Sequence, residues 1–519
     1  MAWLNLGEIL DVHAEKYPTK PAVKDWCGKA WTYSELNVRT NKLANGLLNM
    51  GLSKGDRVAV MLYNCVEFVE IYCAFAKAGL VVTPVSWRYV GREIEYVAND
   101  SDAKAMIVCE DFVAAINQLR PKLKEIDSKN YLVVGETTPE GYTNYEDLIA
   151  SSPDHKPDVD VGGKDTWAQI YTSGTTGFPK GVIRSHESYA AFFFINAVEF
   201  GFSEKDCGMI IMPLFHVNST FYGLLFLYLG ASLFVGKDKG FDPVDLLNIV
   251  HKEKISFISL IPTHYSLILE VPEQKRRRFE TSSLRKLLCS SAPARSKTKR
   301  GILKCFPRVE LYEAYGSTEA GLVTILKPED QLRKIGSIGR PCLGVDLIKL
   351  LDENDREVGV GEVGELYSRG PMMFDEYNKM PEKTEASFRG DFFSAGDLVT
   401  RDEEGYYYIV DRKDNMIITG GEHVYPSEVE EVVSQHPKVR DVAVVGLPDD
   451  KWGEAVTAAV VLKDGENATS EEIVEWCRSK MAGFKKPKKV IFINYSEMPR
   501  SATGKIVHRR LRNRFAELV

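Results

Sequence analysis

Between residues 171 and 182 the chain reads Tyr171-Thr-Ser-Gly-Thr-Thr-Gly-Phe-Pro-Lys180-Gly-Val. Thr172, Ser173, Thr175 and Thr176 bring hydroxyls, Gly174 and Gly177 remove side chains, and Lys180 adds positive charge. Glycines let backbone amides approach an anion, hydroxyls donate to phosphate oxygens, and a lysine neutralises charge. The cluster directly follows an apolar run, Trp167–Tyr171, that reads as a strand. Composition and placement together describe a phosphate-cradling loop. It is not the Walker form, which needs four residues between its glycine and Gly-Lys-[Ser/Thr]. A second glycine pattern, Gly359-Val-Gly-Glu-Val-Gly364, matches G-x-G-x-x-G but precedes a strand. With no helix N-terminus to meet a pyrophosphate, it reads as turns.

Other residues are ambiguous when taken singly. His216 ends an apolar run in Pro213-Leu-Phe-His-Val-Asn218, with no second histidine at ligand spacing, so a metal centre is not indicated there. It fits a satisfied core histidine or a ring gating a pocket. Asp397 follows a glycine and fits a turn. Tyr315 fits the core. Lys505 fits a solvated lysine of a basic tail.

The elements that must position these groups alternate along the first third of the chain. Thr32 and Glu35 have capping-box spacing, and Leu36, Leu43, Leu47 and Met50 follow on one helical face. Gly51 ends that helix, Arg57–Leu62 reads as a buried strand, Glu67–Ala78 as a helix closed by Gly79, and Leu80–Val85 as the next strand. This rhythm recurs around Ile210, Phe257–Ile261 and Leu284–Cys289, and it predicts a parallel sheet covered by helices. Frequent glycines after about Gly336 predict a β-rich insert. A last α+β unit has a helix start at Pro426, strands over Val439–Leu447 and Ala455–Leu462, and a helix over Ser470–Lys480.

The chain's 519 residues carry 66 Lys+Arg against 73 Asp+Glu, a net charge of -7 that argues against a nucleic-acid partner. Its 44% apolar content excludes global disorder. Nine scattered cysteines without a CxxC pair argue against a disulfide scaffold or zinc ribbon. The apolar stretch Phe221–Gly236 is shorter than a membrane span and predicts a buried helix followed by a core strand. The first residues lack a secretory pattern, and the expectation is a cytoplasmic protein without an integral membrane span.

The loop at 171–182 resembles the signature of the AMP-forming acyl-CoA synthetases and adenylation domains, the superfamily that includes firefly luciferase. Further blocks of that family appear in order: Pro213-Leu-Phe-His216-Val-Asn, Ser290-Ser-Ala-Pro293, Tyr312-Glu-Ala-Tyr315-Gly-Ser-Thr-Glu319, Gly364-Glu-Leu-Tyr-Ser-Arg-Gly370, Ser394-Ala-Gly-Asp397-Leu, Asp411-Arg412-Lys-Asp-Asn-Met-Ile, Gly420-Gly-Glu-His-Val-Tyr-Pro-Ser-Glu-Val-Glu430 and Pro499-Arg-Ser-Ala-Thr-Gly504-Lys505. The resemblance covers essentially the whole chain. It implies an α/β protein, with a large N-terminal body of two helix-covered sheets and a β-rich subdomain (residues 1–410, insert about 336–410) and a small mobile α+β lid (411–519). It also implies the reaction: a carboxylate and ATP give acyl-AMP and pyrophosphate, and the CoA thiol then displaces AMP.

The resemblance assigns roles by position. Lys505 is the catalytic lysine, Glu319 the Mg²⁺ ligand and Thr318 a phosphate-binding hydroxyl. Nucleotide contacts fall on Thr172, Ser173, Gly174, Thr175, Thr176, Gly177 and Lys180, on Ser291, Ala292 and Pro293, on Glu313, Ala314, Tyr315, Gly316 and Ser317, and on Asp397 and Arg412. The acyl pocket falls on His216, Val217, Asn218 and Tyr222, reaching Ser290–Ser291 and Ala314–Gly316. The CoA channel falls on Gly420, Gly421, Glu422 and Lys485, and the hinge on Asp411. The run Lys485, Lys486, Lys488, Lys489 could bind CoA phosphates, although a charge run is usually just a solvated face. Two positions depart from the pattern. Ala395 replaces a usual threonine, and Ile418-Thr419 stand where plant coumarate ligases carry lysines. The implied partners are ATP, Mg²⁺, CoA and a carboxylic acid, fatty or aryl from the apolar pocket residues, and a homo-oligomer is allowed. Loading of a carrier-protein thiol, a luciferase-like use of the adenylate and a non-catalytic nucleotide-binding regulator are the alternatives.

Overall fold

The computed structural model describes residues 5–172, 179–290, 294, 296–346, 348–478, 480–501 and 504–517. Local signals form the elements expected of them. Thr32 accepts from the Glu35 amide while the Glu35 carboxylate accepts from the Thr32 amide, and this reciprocal cap opens the helix Tyr33–Asn49. Leu36, Leu43 and Leu47 are its buried face. The helix Val66–Ala78 stops at Gly79, whose φ of 68° places it in the left-handed region that glycine adopts without a Cβ clash. Every residue of that helix is buried, including charged ones. Each buried charge that matters has a partner: Arg39 pairs with Glu70 at 2.5 Å, and Lys77 with Asp11 at 2.5 Å.

The contacts divide the chain into two compact units, 1–347 with 368–393, and 348–367 with 394–519. The β-rich stretch is therefore shared between them. The first unit holds two large sheets. One has the order Arg340–Pro341, Gly321–Leu326, Glu310–Ser317, Lys286–Cys289, Phe257–Leu260, Cys207–Ile210, Ser232–Val235, Pro21–Asp25, Ala30–Thr32. The other has the order Glu376–Tyr377, Lys180–Ser185, Thr166–Thr172, Val81–Pro84, Arg57–Met61, Ala105–Cys109, Tyr131–Val134, Thr143–Asn144. Both are parallel in their middles. The main core packs residues of both sheets with the helices Tyr33–Asn49, Val66–Ala78 and Val217–Tyr228, and smaller apolar layers cover the outer faces. The stretch 221–236 is the buried helix and core strand expected of it, Val217–Tyr228 then Ser232–Val235. No helix among the described residues is long and apolar enough to cross a membrane.

The second unit holds a four-stranded antiparallel sheet, Lys349–Leu351, Gly364–Tyr367, Asp397–Arg401 and Tyr407–Arg412, and a five-stranded sheet built on Val439–Asp449 and Gly453–Leu462. Gly361 turns the chain into the strand Gly364–Tyr367, so the G-x-G-x-x-G pattern is a turn before a strand.

His186 opens the helix His186–Phe200 in the first unit's core. Its ring stacks on Trp167 at 5.4 Å, and neither ring nitrogen has a hydrogen bond among the described residues. Burial drives its pKa down to about 3, with Asp165 opposing and Lys54 adding to the fall. The folded state therefore refuses a proton that the unfolded chain takes up near pH 6.5. The stability contributed by the neutral ring is complete above pH 6.5 and is lost as the pH falls from there toward 3. Between pH 7 and 4.5 the loss is about 2–3 kcal/mol. Urea unfolding should show that difference against His186→Phe, whose pH profile is flatter; parallel profiles would refute the assignment.

Candidate active site

A tight β-hairpin joins Glu310–Ser317 to Gly321–Leu326 and carries Thr318 and Glu319 at its tip, both nearly buried. A β-bulge falls between Tyr315 and Gly316, and a Cβ on Gly316 would lie 2.0 Å from the Gly321 carbonyl oxygen, so only glycine fits. Ser317 Oγ accepts from the Ala320 amide at 2.9 Å and closes the tip. Glu319 Oε1 accepts from the Tyr377 hydroxyl at 2.8 Å and lies 3.7 Å from Lys180 Nζ, which also sits 4.1 Å above the Tyr377 ring. Three distant segments meet here because Glu376–Tyr377 pairs antiparallel with Lys180–Ser185. The Phe374 amide donates to the Glu319 carbonyl at 2.7 Å, tying the hairpin to that edge.

Arg184, four residues along the strand from Lys180, shares its face by the two-residue alternation. It is wholly buried and donates from Nη1 to the Thr318 carbonyl and from Nη2 to the Met372 carbonyl, each at 2.5 Å. Burial lowers its pKa to about 10, while Tyr189, Asp375 and Glu319 favour the charge. Sequence reading missed both Arg184 and Tyr377. The available signal was one charged residue inside the apolar strand Lys180-Gly-Val-Ile-Arg-Ser.

Thr172 ends the strand Thr166–Thr172, and its buried hydroxyl has no hydrogen bond among the described residues. The preceding Tyr171 donates to Asp100 at 2.6 Å, which anchors the end of the strand. Ser173, Gly174, Thr175, Thr176 and Gly177 lie outside the described residues, as do Ser291, Ala292 and Pro293. Glu313 is engaged by the buried Lys299 and accepts from the Ala294 amide at 3.1 Å. Burial pushes its carboxyl up and Lys299 opposes the shift. Ala314 faces Ile325 and Tyr315 faces Thr324 across the hairpin, Tyr315 being half-buried.

His216 caps the helix Val217–Tyr228, its Nδ1 accepting from the Asn218 amide at 3.3 Å. Asn218 Nδ2 donates to Ser290 Oγ at 2.7 Å, and Ser290 Oγ lies 3.1 Å from Ser259 Oγ. Val217 and Tyr222 are buried on this helix, the Tyr222 ring against Phe192, Phe200 and Phe257. Burial raises the Tyr222 phenol, so it stays neutral.

In the second unit, Asp397 and Arg412 are paired across neighbouring strands, with Arg412 Nε donating to Asp397 Oδ1 at 3.0 Å. Asp411 accepts from its neighbour's amide at 2.7 Å and, through Oδ2, from the Ser427 amide at 2.9 Å in the first turn of the helix Pro426–Ser434. Burial raises its carboxyl and these amides oppose the rise. Lys505 follows a turn in which the Ser501 amide donates to the Lys505 carbonyl at 2.7 Å and Gly504 has a φ of 79°. Its ammonium is lowered by the surrounding protein and then by Arg412, with Asp397 opposing. Gly420 and Gly421 (φ 61° and 85°) form the two-residue turn between Ile417–Thr419 and Glu422–Val424. Lys485 pairs with Glu428 at 2.5 Å.

The order of these groups along the chain has a counterpart in known proteins. The model of the AMP-binding enzyme family matches residues 10–378, and that of the AMP-binding enzyme C-terminal domain matches 428–505. This chain belongs to the AMP-binding enzyme family. It is 32% identical to the long-chain-fatty-acid–CoA ligase FadD13 of Mycobacterium tuberculosis, over 99% of both chains. It is 33% identical to a feruloyl-CoA synthase of Amycolatopsis sp, over 94% of both. The ATP-bound structure of MatB from Rhodopseudomonas palustris matches with a TM-score of 0.89 at 30% identity, over 99% of both chains. The chain is thus an AMP-forming acyl-CoA synthetase, an enzyme that spends ATP to join a carboxylic acid to CoA.

Proposed function

We propose that the substrate acid is fatty or aryl, and that the residues described above divide the two half-reactions between them. In the first, a carboxylate oxygen attacks the α-phosphorus of ATP and the bond to pyrophosphate breaks. Two anions meet, so repulsion must be offset by positive groups aimed at the reacting centre. Lys505 supplies that charge between carboxylate and α-phosphate. Lys180, Thr172, Ser173, Gly174, Thr175, Thr176 and Gly177 hold the phosphates with Thr318. Asp397 and Arg412 hold the ribose, and Tyr315 lies along the adenine with Ser291, Ala292 and Pro293.

Glu319 fits a Mg²⁺ ligand. Tyr377 orients Oε1, no described group hydrogen-bonds Oε2, and Mg²⁺ takes one or two carboxylates beside phosphate oxygens and waters. A bound Mg²⁺ would screen the phosphate charge.

In the second half-reaction the CoA sulfur attacks the acyl carbon, the bond to the AMP phosphate breaks, and AMP leaves. A rotation at Asp411, with the lid as residues 411–519, withdraws Lys505 and presents Gly420, Gly421, Glu422 and Lys485 to the thiol channel. The nine free cysteines suit a reducing, cytoplasmic setting.

The observation that carries this reading is the wiring of Glu319 to Lys180 and Tyr377 beside Thr318. The deciding experiment is a panel of acids ranked by kcat/KM in ATP–pyrophosphate exchange and then in thioester formation. Fatty or aryl acids should lead, and a short polar acid at the top would overturn the substrate class.

The channel has its own test. Gly421→Trp should spare adenylate formation and block thioester formation. Gly421→Ala carries the same positive-φ strain without the bulk, because nothing lies within 4 Å of a Cβ there. Equal losses in the two variants would reduce the effect to turn strain and reject the channel.

A further inference from the structure

The buried helix Val217–Tyr228 carries Asn218, Ser219 and Thr220 in its first turn. Ser219 donates to the Met212 carbonyl and Thr220 to the Val217 carbonyl, whereas Asn218 reaches across to Ser290. Asn218, Ser290 and Ser259 are 7%, 6% and 5% exposed and form one hydrogen-bonded chain. Ser259 lies in Phe257–Leu260, and Ser290 directly follows its parallel neighbour Lys286–Cys289. The chain therefore stands at the carboxyl ends of adjacent parallel strands, where open α/β sheets take their ligands. Tyr222, one helical turn from Asn218, brings an aromatic wall with Phe192 and Phe257.

The amide of Asn218 is only half used. One end bonds Ser290, and among the described residues nothing bonds the other. The two ends of an amide are exchanged by a flip, so whether the free end donates or accepts is an assignment, but one end stays free in either orientation. That free end is not one of the fully buried, unpartnered polar atoms, so it stands where a ligand can reach it. A hydroxyl arriving there can pair with the free end whichever way the amide is turned, because it both donates and accepts.

We propose that the Asn218–Ser290–Ser259 chain reads a hydroxyl on the acyl part of the substrate, so that the enzyme prefers a hydroxylated fatty or aryl acid to the unsubstituted parent. This rests on the placement of the acyl pocket beside His216–Tyr222. A site built to hydrogen-bond a substrate hydroxyl discriminates against the analogue lacking it far more strongly than an apolar pocket discriminates by a methylene. Asn218, Ser290 and Ser259 are thus specificity residues, distinct from the groups that move charge on phosphate.

The test uses the full chain with two matched series: octanoate against 3-hydroxy- and 8-hydroxyoctanoate, and benzoate against its 2-, 3- and 4-hydroxy derivatives. At least one hydroxy acid should exceed its parent by more than about tenfold in kcat/KM. That ratio should fall by about tenfold or more in Asn218→Leu and fall in Ser290→Ala, with thermal midpoints read alongside. A merely structural role would lower both members of a pair together and leave the ratio unmoved. Wild-type turnover of a parent acid with no hydroxy acid preferred overturns this inference alone, as does an unchanged ratio in folded Asn218→Leu. No exchange with any acid of either series overturns the fatty-or-aryl reading and this inference with it.

Discussion

Lys505→Ala should lose adenylate formation by about 10²–10³ in kcat, the scale of removing one charge-stabilising group from a preorganised site. The same variant, supplied with acyl-adenylate and CoA, should still form thioester, because the ammonium is needed only while carboxylate and phosphate are brought together. The truncation is clean. The turn that carries the residue is held by the Ser501 amide on the Lys505 carbonyl, by the bridge between Arg500 and Ile506, and by Arg500 Nη1 on the Gly504 carbonyl at 2.8 Å. None of these uses the side chain of Lys505. The surrounding protein, and after it Arg412, depress the ammonium against the pull of Asp397, so the alkaline limb of adenylation should fall earlier than an ordinary lysine would place it. Equal loss of both half-reactions, or an alkaline limb unchanged in the variant, would refute the role.

Arg184→Met should cut adenylation about tenfold or more, through displacement of Thr318 and Glu319, and cost about 2–4 kcal/mol of stability. The guanidinium closes two buried carbonyls, one on the hairpin tip and one on Met372. Removing it leaves both unpaired, partly offset by no longer burying a cation. A packing defect alone would lower stability without singling out one half-reaction. The positioning role instead predicts that KM for ATP rises more than KM for the acid, that supplied acyl-adenylate is still thioesterified, and that Arg184→Lys recovers part of the loss, because a single ammonium nitrogen replaces the two that reach the Thr318 and Met372 carbonyls. Uniform loss across both half-reactions would leave Arg184 a purely structural residue.

The short-range signals of the sequence were legible because their physics is short-range. A capping box needs only residues three apart, and Thr32 with Glu35 formed it. A glycine that stops a helix needs only its own φ, as at Gly79. The helix and strand within 221–236 were legible from length and apolarity, and the turn at Gly359–Gly364 from the strand pattern on its carboxyl side. The ordered motifs placed the chain in its family through their resemblance to that family's blocks, which the family matches over 10–378 and 428–505 bear out.

Tertiary structure alone decided which groups touch. Nothing local pairs Glu376–Tyr377 with Lys180–Ser185, so the phenol that orients Glu319 was invisible, and so was the buried arginine under the hairpin. The same holds for Lys299 on Glu313, and for the amide–hydroxyl chain from Asn218 to Ser259. These contacts join residues tens to hundreds of positions apart, and strand order is set by the burial of whole sheet faces, which no window along the chain contains. The sequence by itself determined the elements and the chemistry this enzyme can perform. The fold determined which side chains hold the reacting ones in place, because hydrogen-bond geometry is a property of space and not of spacing.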